Sequence, residues 1–129
     1  MPEPERPLMV LIAGPYRSGT GDDPALIARN MQAMDEAALA VFRAGHLPVV
    51  GEWFALPLIR TAGPAAMGDA TWDAIFHPVA ERVAARCDAC LRIGGASAGA
   101  DTMVAIFERA DRPVFRRVEE LPAVSRDAA

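Results

Sequence analysis

The sequence contains no lysine, since its thirteen basic residues are all arginine. Without an ε-amine the chain cannot form a Schiff base with a carbonyl substrate or with pyridoxal phosphate. It also cannot supply the lysine of a Walker-type phosphate-binding loop. Both of these classes of chemistry are therefore excluded.

Long runs of basic or apolar residues are also missing. Acidic residues outnumber basic ones by 17 to 13, the net charge is −4, and no basic tract is present, so we expect no nucleic-acid polymer as a partner. The apolar run from Leu8 to Ala13, which no other run exceeds, is far shorter than the ~20 residues of a membrane span. The start of the chain has no targeting pattern. The sequence therefore predicts a cytoplasmic protein that does not insert into a membrane.

Cysteine is scarce, and the two that occur, Cys87 and Cys90, form a C-x-x-C pair. This spacing is found in redox dithiols and in one half of a zinc site. A redox dithiol usually lies just ahead of a helix whose N-terminus lowers the thiol pKa, whereas this pair falls between a helical pattern and a strand. No second pair completes a metal site. We therefore favour two structural cysteines, and we predict neither a metal nor a cofactor.

The chain has 129 residues, of which 52% are hydrophobic, and this amount of apolar material fits one compact domain over residues 1–129 with its core at about 8–117. Short apolar runs predict strands, and apolar positions at three- and four-residue spacing predict helices. The predicted strands cover 8–13, 46–50, 89–93 and 112–116.

The first helix is predicted from an N-cap at Asp23, with Pro24 behind it, to a terminating Gly45. A short helix is expected to follow the second strand through Ile59, and the stretch 61–71 is expected to be a loop. The third helix is predicted over 72–86, either starting or kinked at Pro78. Ser97 or Ala98 begins the last helix, and a weak helical turn follows from residue 118.

This alternation of strands and helices predicts an α/β fold of the flavodoxin or Rossmann type, with a parallel sheet of four to five strands between helices. In such sheets ligands bind beyond the carboxyl ends of the strands, at the point where the strand order reverses. The loops that follow the first three strands are therefore the predicted site.

Three segments bring chemistry to that edge of the sheet. The loop at 14–20 has two glycines, an aromatic stacking face in Tyr16 and an anion fork in Arg17. The small residues at 94–101 lead into a helix N-terminus, which presents backbone N–H groups to anions. Glu52 and Trp53 follow the second strand, where an acid could bond a sugar hydroxyl and an indole could stack on a base. His46 is expected at the opposite edge, and His77 and Glu81 lie one helical turn apart.

Two motifs carry a resemblance to a known family. The segments 11–16 (LIAGPY) and 87–101 (CDACLRIGGASAGAD), followed by 112–115 (RPVF), resemble the nucleoside 2-deoxyribosyltransferase-like superfamily, and most of all its small branch known as domain-of-unknown-function group 4406. The resemblance spans about residues 8–117. It implies a flavodoxin-like fold, a homodimer or larger assembly, and cleavage or exchange of the N-glycosidic bond of nucleosides or nucleoside monophosphates.

The resemblance also assigns roles to residues. It matches Tyr16 to a ligand-contacting aromatic, and Ser97 and Gly99 to a loop that contacts phosphate or sugar. Met103 stands where the family has its nucleophilic glutamate, and Asp101 is the nearest carboxylate. The predicted catalytic residues are Asp101 and Glu52, and the predicted ligand-binding residues are Gly14, Pro15, Tyr16, Arg17, Trp53, Gly95, Ser97, Gly99 and Met103.

Two functions remain open at this point. The first is an enzyme that acts on the N-glycosidic bond of a nucleoside or nucleotide through Asp101 or through a carboxylate from a neighbouring subunit. The second is a non-catalytic nucleotide-binding module that has lost the family nucleophile. The apolar stretches 37–42 and 53–59 predict a homodimer or larger assembly in either case, since one small domain cannot readily bury them.

Overall fold

The computed structural model describes residues 6–63 and 69–124, and strands alternate with helices along them. In chain order the elements are β1 (Met9–Ala13), α1 (Pro24–Arg43), β2 (Leu47–Val50), α2 (Gly51–Ala62), α3 (Asp69–Ala84), β3 (Ala89–Arg92), α4 (Ala98–Arg109) and β4 (Val114–Phe115), followed by a 3₁₀ turn at Val118–Glu120.

The four strands form one parallel sheet in the order β2-β1-β3-β4. Leu11 at the centre of β1 is in register with Val49 on one side and Cys90 on the other. The chain moves outward from β1 to β2 and then crosses back over β1 to β3, so the strand order reverses between β1 and β3. The α/β fold of the flavodoxin or Rossmann type is thereby confirmed, and its switch point lies between the loops after these two strands.

The core has a layer on each face of the sheet, because alternate side chains of a strand point to opposite faces. Val10 and Ile12 of β1 pack with α1, whereas Leu11 and Ala13 pack with α3 and α4. Helix α2 packs on α3 through a third cluster. Strands that are buried on both faces read as continuous apolar runs, which explains why the sequence located them well.

Local capping signals place three helix ends as predicted. The Asp23 carboxylate accepts a hydrogen bond from the Ala25 N–H, with Pro24 in the first turn of α1. Gly45, with φ of +97°, follows the end of this helix. The Ser97 hydroxyl caps α4 by accepting from the Ala100 N–H. The hydrogen bonds at these ends satisfy backbone groups that a helix terminus would otherwise leave unpaired.

The ends of α2 and α3 differ from the prediction. Helix α2 begins directly at Gly51 and continues to Ala62, and α3 begins at Asp69 and passes through Pro78. The predicted loop at 61–71 is therefore wrong at both ends, and its residues 64–68 lie outside the described residues. Burial of Trp72 and Ala80 on either side of Pro78 stabilises α3 against the loss of one backbone hydrogen bond.

Both cysteines are buried structural residues. Cys87 precedes β3 and Cys90 lies within it, and burial raises the pKa of the Cys87 thiol to about 11 and that of Cys90 to about 12. Thiols with such pKa values stay protonated at neutral pH and are poor nucleophiles. Within residues 6–63 and 69–124, no group of three or more His, Cys, Asp or Glu side chains is placed to hold a metal ion.

His46 lies at the edge of the sheet opposite the switch point, as predicted. Its Nδ1 accepts a hydrogen bond of 3.0 Å from the Leu8 N–H, so its Nε2 donates to the Pro122 carbonyl at 2.7 Å. The buried ring thus joins the start of β1 to the C-terminal segment, and its role is structural.

Large apolar side chains are exposed where the sheet ends at β2. They belong to α1, β2 and α2, which pack together: Leu39, Phe42, Leu47, Trp53, Phe54 and Leu58. No helix in the described part of the chain is long and apolar enough to cross a membrane. An apolar surface of this kind on a small domain is typical of a protein interface.

We expect this surface to join two or more copies of the chain. Phe54→Asp with Leu58→Asp, one turn apart on α2, should convert the assembly to a 13.7 kDa monomer, because the interface would then bury two unpaired charges. Sedimentation velocity would measure the change. Ala85→Asp, on an exposed position after α3, is the control and should leave the assembly intact. A parent protein that is already monomeric at micromolar concentration would contradict the expectation.

Candidate functional site

A cleft of about 150 Å³ lies beyond the carboxyl end of β1, beside the switch point. Its walls come from the loop after β1, the first turn of α2, one face of α3 and the first turn of α4. These are the segments at which the fold concentrates loop ends and helix N-termini, and they supply polar groups above an apolar floor.

Glu52 is the buried acid of this cleft. It lies in the first turn of α2, is 6% exposed and lines the cleft. Burial raises the pKa of its carboxyl to about 7, although a hydrogen bond from its own backbone N–H favours the charged form. Among the described residues, no other group forms a hydrogen bond or ion pair with this carboxyl. Because this pKa is about 7, a large share of the Glu52 carboxyls is ionised at neutral pH. Because the carboxylate has no such partner in the described part of the chain, its charge is available to a ligand.

Three aromatic rings form one wall of the cleft. The ring centroids of Tyr16 and Trp72 lie 6.0 Å apart with planes inclined by 10°, and those of Trp72 and Phe76 lie 5.7 Å apart at 13°. Burial raises the pKa of the Tyr16 hydroxyl, and the Glu52 charge raises it further. The hydroxyl therefore stays neutral, and this wall offers flat faces close to the Glu52 carboxyl.

Arg17 packs against the middle ring of the aromatic wall. Its guanidinium carbon lies 4.9 Å from the centre of the Trp72 ring, and the Nη2 atom donates to Asp22 at 2.9 Å. The predicted anion fork is thus held by protein groups. Arg17 still lines the cleft. Its guanidinium therefore contributes positive charge to the cleft, but it is not a free fork that could bind an anion with two hydrogen bonds.

Two serines connect the loops of the switch point. The Ser18 hydroxyl donates to Ser97 Oγ at 3.1 Å, while Ser97 caps α4. Both serines line the cleft together with Gly99 in the first turn of α4. A pair of hydroxyls at a helix N-terminus is an arrangement that favours anionic oxygens.

The glycines of the two loops let the loops approach each other. A Cβ on Gly14 would lie 2.8 Å from Ile93 Cγ1, and one on Gly94 would lie 2.7 Å from Pro15 Cδ. Gly94 also has φ of +75°, which disfavours other residues. Gly14 lines the cleft, and its lack of a side chain also accommodates Ile93.

Arg92 holds the second loop in place, and the sequence analysis missed it. Its buried guanidinium donates to the carbonyls of Ile93 and Gly95 and to the Asp101 carboxylate, the last at 3.2 Å. The sequence signal that indicates its role is the single arginine at the end of an otherwise apolar strand. A charge buried at such a position needs several fixed hydrogen-bond partners.

The structure separates the predicted site residues into two groups. Gly14, Tyr16, Arg17, Glu52, Ser97, Gly99 and Met103 line the cleft, whereas Pro15, Trp53, Gly95 and Asp101 do not. The Asp101 side chain is 67% exposed and pairs with Arg92, and the Trp53 indole donates to Asp35 of α1 at 2.9 Å. Pro15 and Gly95 line a separate depression on the α1 side of the loops.

Helix geometry explains why Met103 and Asp101 face different ways. Two residues along a helix correspond to about 200° of rotation, so a buried Met103 in the cleft places Asp101 on the outer side of α4. The sequence had named Asp101 as the nearest replacement for the family nucleophile. The structure instead leaves Glu52 as the buried carboxylate of the cleft.

Asp73 and His77 of α3 also line the cleft, and neither was among the predicted site residues. The His77 Nε2 lies 3.5 Å from Asp73 Oδ1. Glu81 lies one turn after His77, but the imidazole contacts Asp73, which lies one turn before it.

No protein-family model matches this chain, and no curated protein matches it either. The fold and the cleft define a class of protein, namely a flavodoxin-like α/β domain with a cleft at its switch point. The nucleoside chemistry implied by the two motifs must be judged on the residues of the cleft.

Proposed function

We propose that the cleft binds a nucleoside 5′-monophosphate and hydrolyses its N-glycosidic bond. The observation that carries the proposal is the buried Glu52 carboxyl beside an aromatic wall, in a cleft at the switch point. The motif resemblance points to the same chemistry.

The three parts of a nucleotide correspond to three parts of the cleft. The base fits against the partly exposed rings of Tyr16 and Phe76, which the buried Trp72 ring holds in place. The phosphate fits the first turn of α4, where Ser18 and Ser97 lie and Arg17 adds positive charge. The sugar between them then meets the Glu52 carboxylate.

The reaction we propose uses this carboxylate in two steps. Glu52 forms a bond to C1′ while the C1′–N bond breaks, and that electron pair leaves on the base nitrogen, which takes up a proton. Water then attacks C1′, the ester bond to Glu52 breaks, and the water gives up a proton. The products are the free base and the sugar phosphate, and the carboxylate is regenerated. Its negative charge stabilises the oxocarbenium-like transition state of both steps.

A non-catalytic nucleotide-binding module is the second candidate function. It is favoured by Met103, which lies in the cleft at the position where the resemblance places the family glutamate. A thioether provides contact area but no charge. If this second function is correct, the parent protein binds nucleotides and releases no base, and Met103→Glu would introduce the activity.

Chromatography of free base and calorimetry of nucleotide binding decide between these functions. Base release by the parent protein supports the enzyme. Nucleotide binding without release supports the binding module. If nucleoside 5′-monophosphates neither bind nor react, both functions are wrong.

The activity should depend on pH through Glu52. Because only the ionised carboxylate attacks C1′, kcat/KM should rise about tenfold per pH unit below pH 7 and stop rising near the Glu52 pKa of about 7. The 5′-phosphate of the substrate also titrates in this range. Nucleotide affinity measured over the same pH values separates its effect from the rise in kcat/KM that is due to Glu52. A kcat/KM that instead stays constant as pH rises towards 7 would show that the ionised Glu52 carboxylate is not required and would overturn the assignment.

A further inference from the structure

The departing base needs a proton, and a second ionisable pair lies in the same cleft. Asp73 and His77 are one turn apart on α3 and both line the cleft. Their side chains are 61% and 49% exposed, so they lie at its rim rather than at its floor. The reaction proposed above leaves the source of this proton unassigned, and an imidazole is the side chain best suited to supply it near neutral pH.

The position of the imidazole relates it to the aromatic wall. The His77 and Phe76 rings contact each other at nearly a right angle, with centroids 6.0 Å apart and planes at 87°. Phe76 stacks with Trp72, so the imidazole adjoins the faces that we assign to the base. Nε2 is the nitrogen that faces Asp73, which leaves Nδ1 for a ligand. Among the described residues, none forms a hydrogen bond with this Nδ1.

We propose that His77 is the proton donor to the departing base and that Asp73 positions its ring. This inference rests on the proposed function. As the C1′–N bond breaks, the imidazolium gives its proton to the base nitrogen and becomes neutral. When water attacks C1′ in the second step, the imidazole takes the proton that the water releases. The imidazolium is thereby restored, and no other acid is consumed.

Among the described residues, the charged groups that line the cleft together with His77 come from three elements. Asp73 lies on its own helix, Glu52 comes from α2, and Arg17 comes from the loop after β1 together with the neutral Tyr16 hydroxyl. The first turn of α4 brings only uncharged groups into the cleft. Two carboxylates and one guanidinium thus share the cleft with the imidazole.

Leaving groups that differ in their need for a proton test this role. The two substrates are 5′-monophosphates with the same sugar, one carrying adenine and the other carrying nicotinamide, whose pyridinium leaves as a neutral base without protonation. His77→Gln should lower kcat on the adenine substrate by about 10²-fold or more and on the nicotinamide substrate by no more than a few-fold. KM should change little for either substrate. Asp73→Asn should show the same selectivity with a smaller loss, of about tenfold.

Glu81→Gln is the matched control, because it lies one turn further along α3 on an exposed position and does not line the cleft. It should leave both rates unchanged. Equal losses of kcat on the two substrates, or no loss on either, would overturn the role of His77. In that case the proposed function would still be supported by base release that depends on Glu52. Failure of the parent to cleave either substrate is the distinct result that removes the proposed function.

The imidazole signals in an NMR spectrum provide a readout that does not need turnover. The chain has two histidines, and the other one is buried at the opposite edge of the sheet. Adenosine 5′-monophosphate should shift the His77 signal, which is assigned by its loss in His77→Gln, and should leave the His46 signal in place. A His77 signal that does not respond to bound nucleotide would overturn the proposal.

Discussion

Replacing Glu52 by glutamine should lower the rate of base release by roughly 10³-fold or more, because the variant keeps the shape of the side chain and loses the charge that stabilises the transition state. Nucleotide affinity should change by only a few-fold. Chromatographic assay of free base and calorimetry on the same preparations measure the two effects. Equal rates in Glu52→Gln and the parent would show that this carboxyl takes no part in the reaction.

The same substitution should also stabilise the protein, with a dependence on pH. The Glu52 pKa is about 7 in the folded chain against an ordinary value of 4.5, so folding favours the protonated carboxyl. The free energy of unfolding therefore falls as pH rises from 4.5 to 7, and the loss is complete above pH 7. Glutamine does not titrate, so Glu52→Gln should be more stable than the parent by roughly 2–3 kcal/mol at pH 8 and show little of this gain at pH 4. Urea unfolding at the two pH values measures this difference.

Asp101→Asn is the informative comparison, since this aspartate was the other carboxylate predicted from the sequence. Its side chain pairs with Arg92 outside the cleft. The substitution should therefore lower the rate far less than Glu52→Gln does. A loss of activity in Asp101→Asn as large as that in Glu52→Gln would indicate that Asp101 of α4 takes part in catalysis.

Gly94→Ala should be the most destabilising single methyl addition at the switch point. The new Cβ would lie 2.7 Å from Pro15 Cδ, and the backbone φ of +75° disfavours alanine. Strain of this backbone conformation costs about 1–2 kcal/mol and overpacking about 1–3 kcal/mol, so we expect a total loss of roughly 2–4 kcal/mol. Urea or thermal unfolding measures the loss.

Gly95→Ala is the control on the adjacent residue. A Cβ there meets nothing within 4 Å, and the free energy of unfolding should stay within about 0.5 kcal/mol of the parent value. If Gly94→Ala and Gly95→Ala are equally stable, the contact between the two loops is not fixed by the left-handed glycine. The nucleotide affinity of Gly94→Ala should also fall, because Pro15 and Gly94 hold the two cleft loops together.

Much of the fold followed from local patterns. The apolar run of β1, the Asp23–Pro24 start of α1 and the Ser97 cap of α4 each depend on neighbouring residues, so they were visible before any tertiary contact was known. The start of α2 was not visible in this way, and the sequence left open whether α3 begins at Pro78 or is kinked there. They depend on packing of buried side chains such as Ile59 and Trp72 between the two helices.

By itself the sequence determined which residue types could take part in a site and which edge of the sheet would hold them. The absence of lysine removed two kinds of chemistry, and the glycine-rich segments after β1 and β3 marked the switch point. Only the tertiary structure decided that Glu52 enters the cleft while Trp53 and Asp101 point away from it. The physical reason is rotational: neighbouring residues on a helix differ in direction by about 100°, so a shift of one or two residues in where α2 or α4 begins changes which side chain faces the ligand.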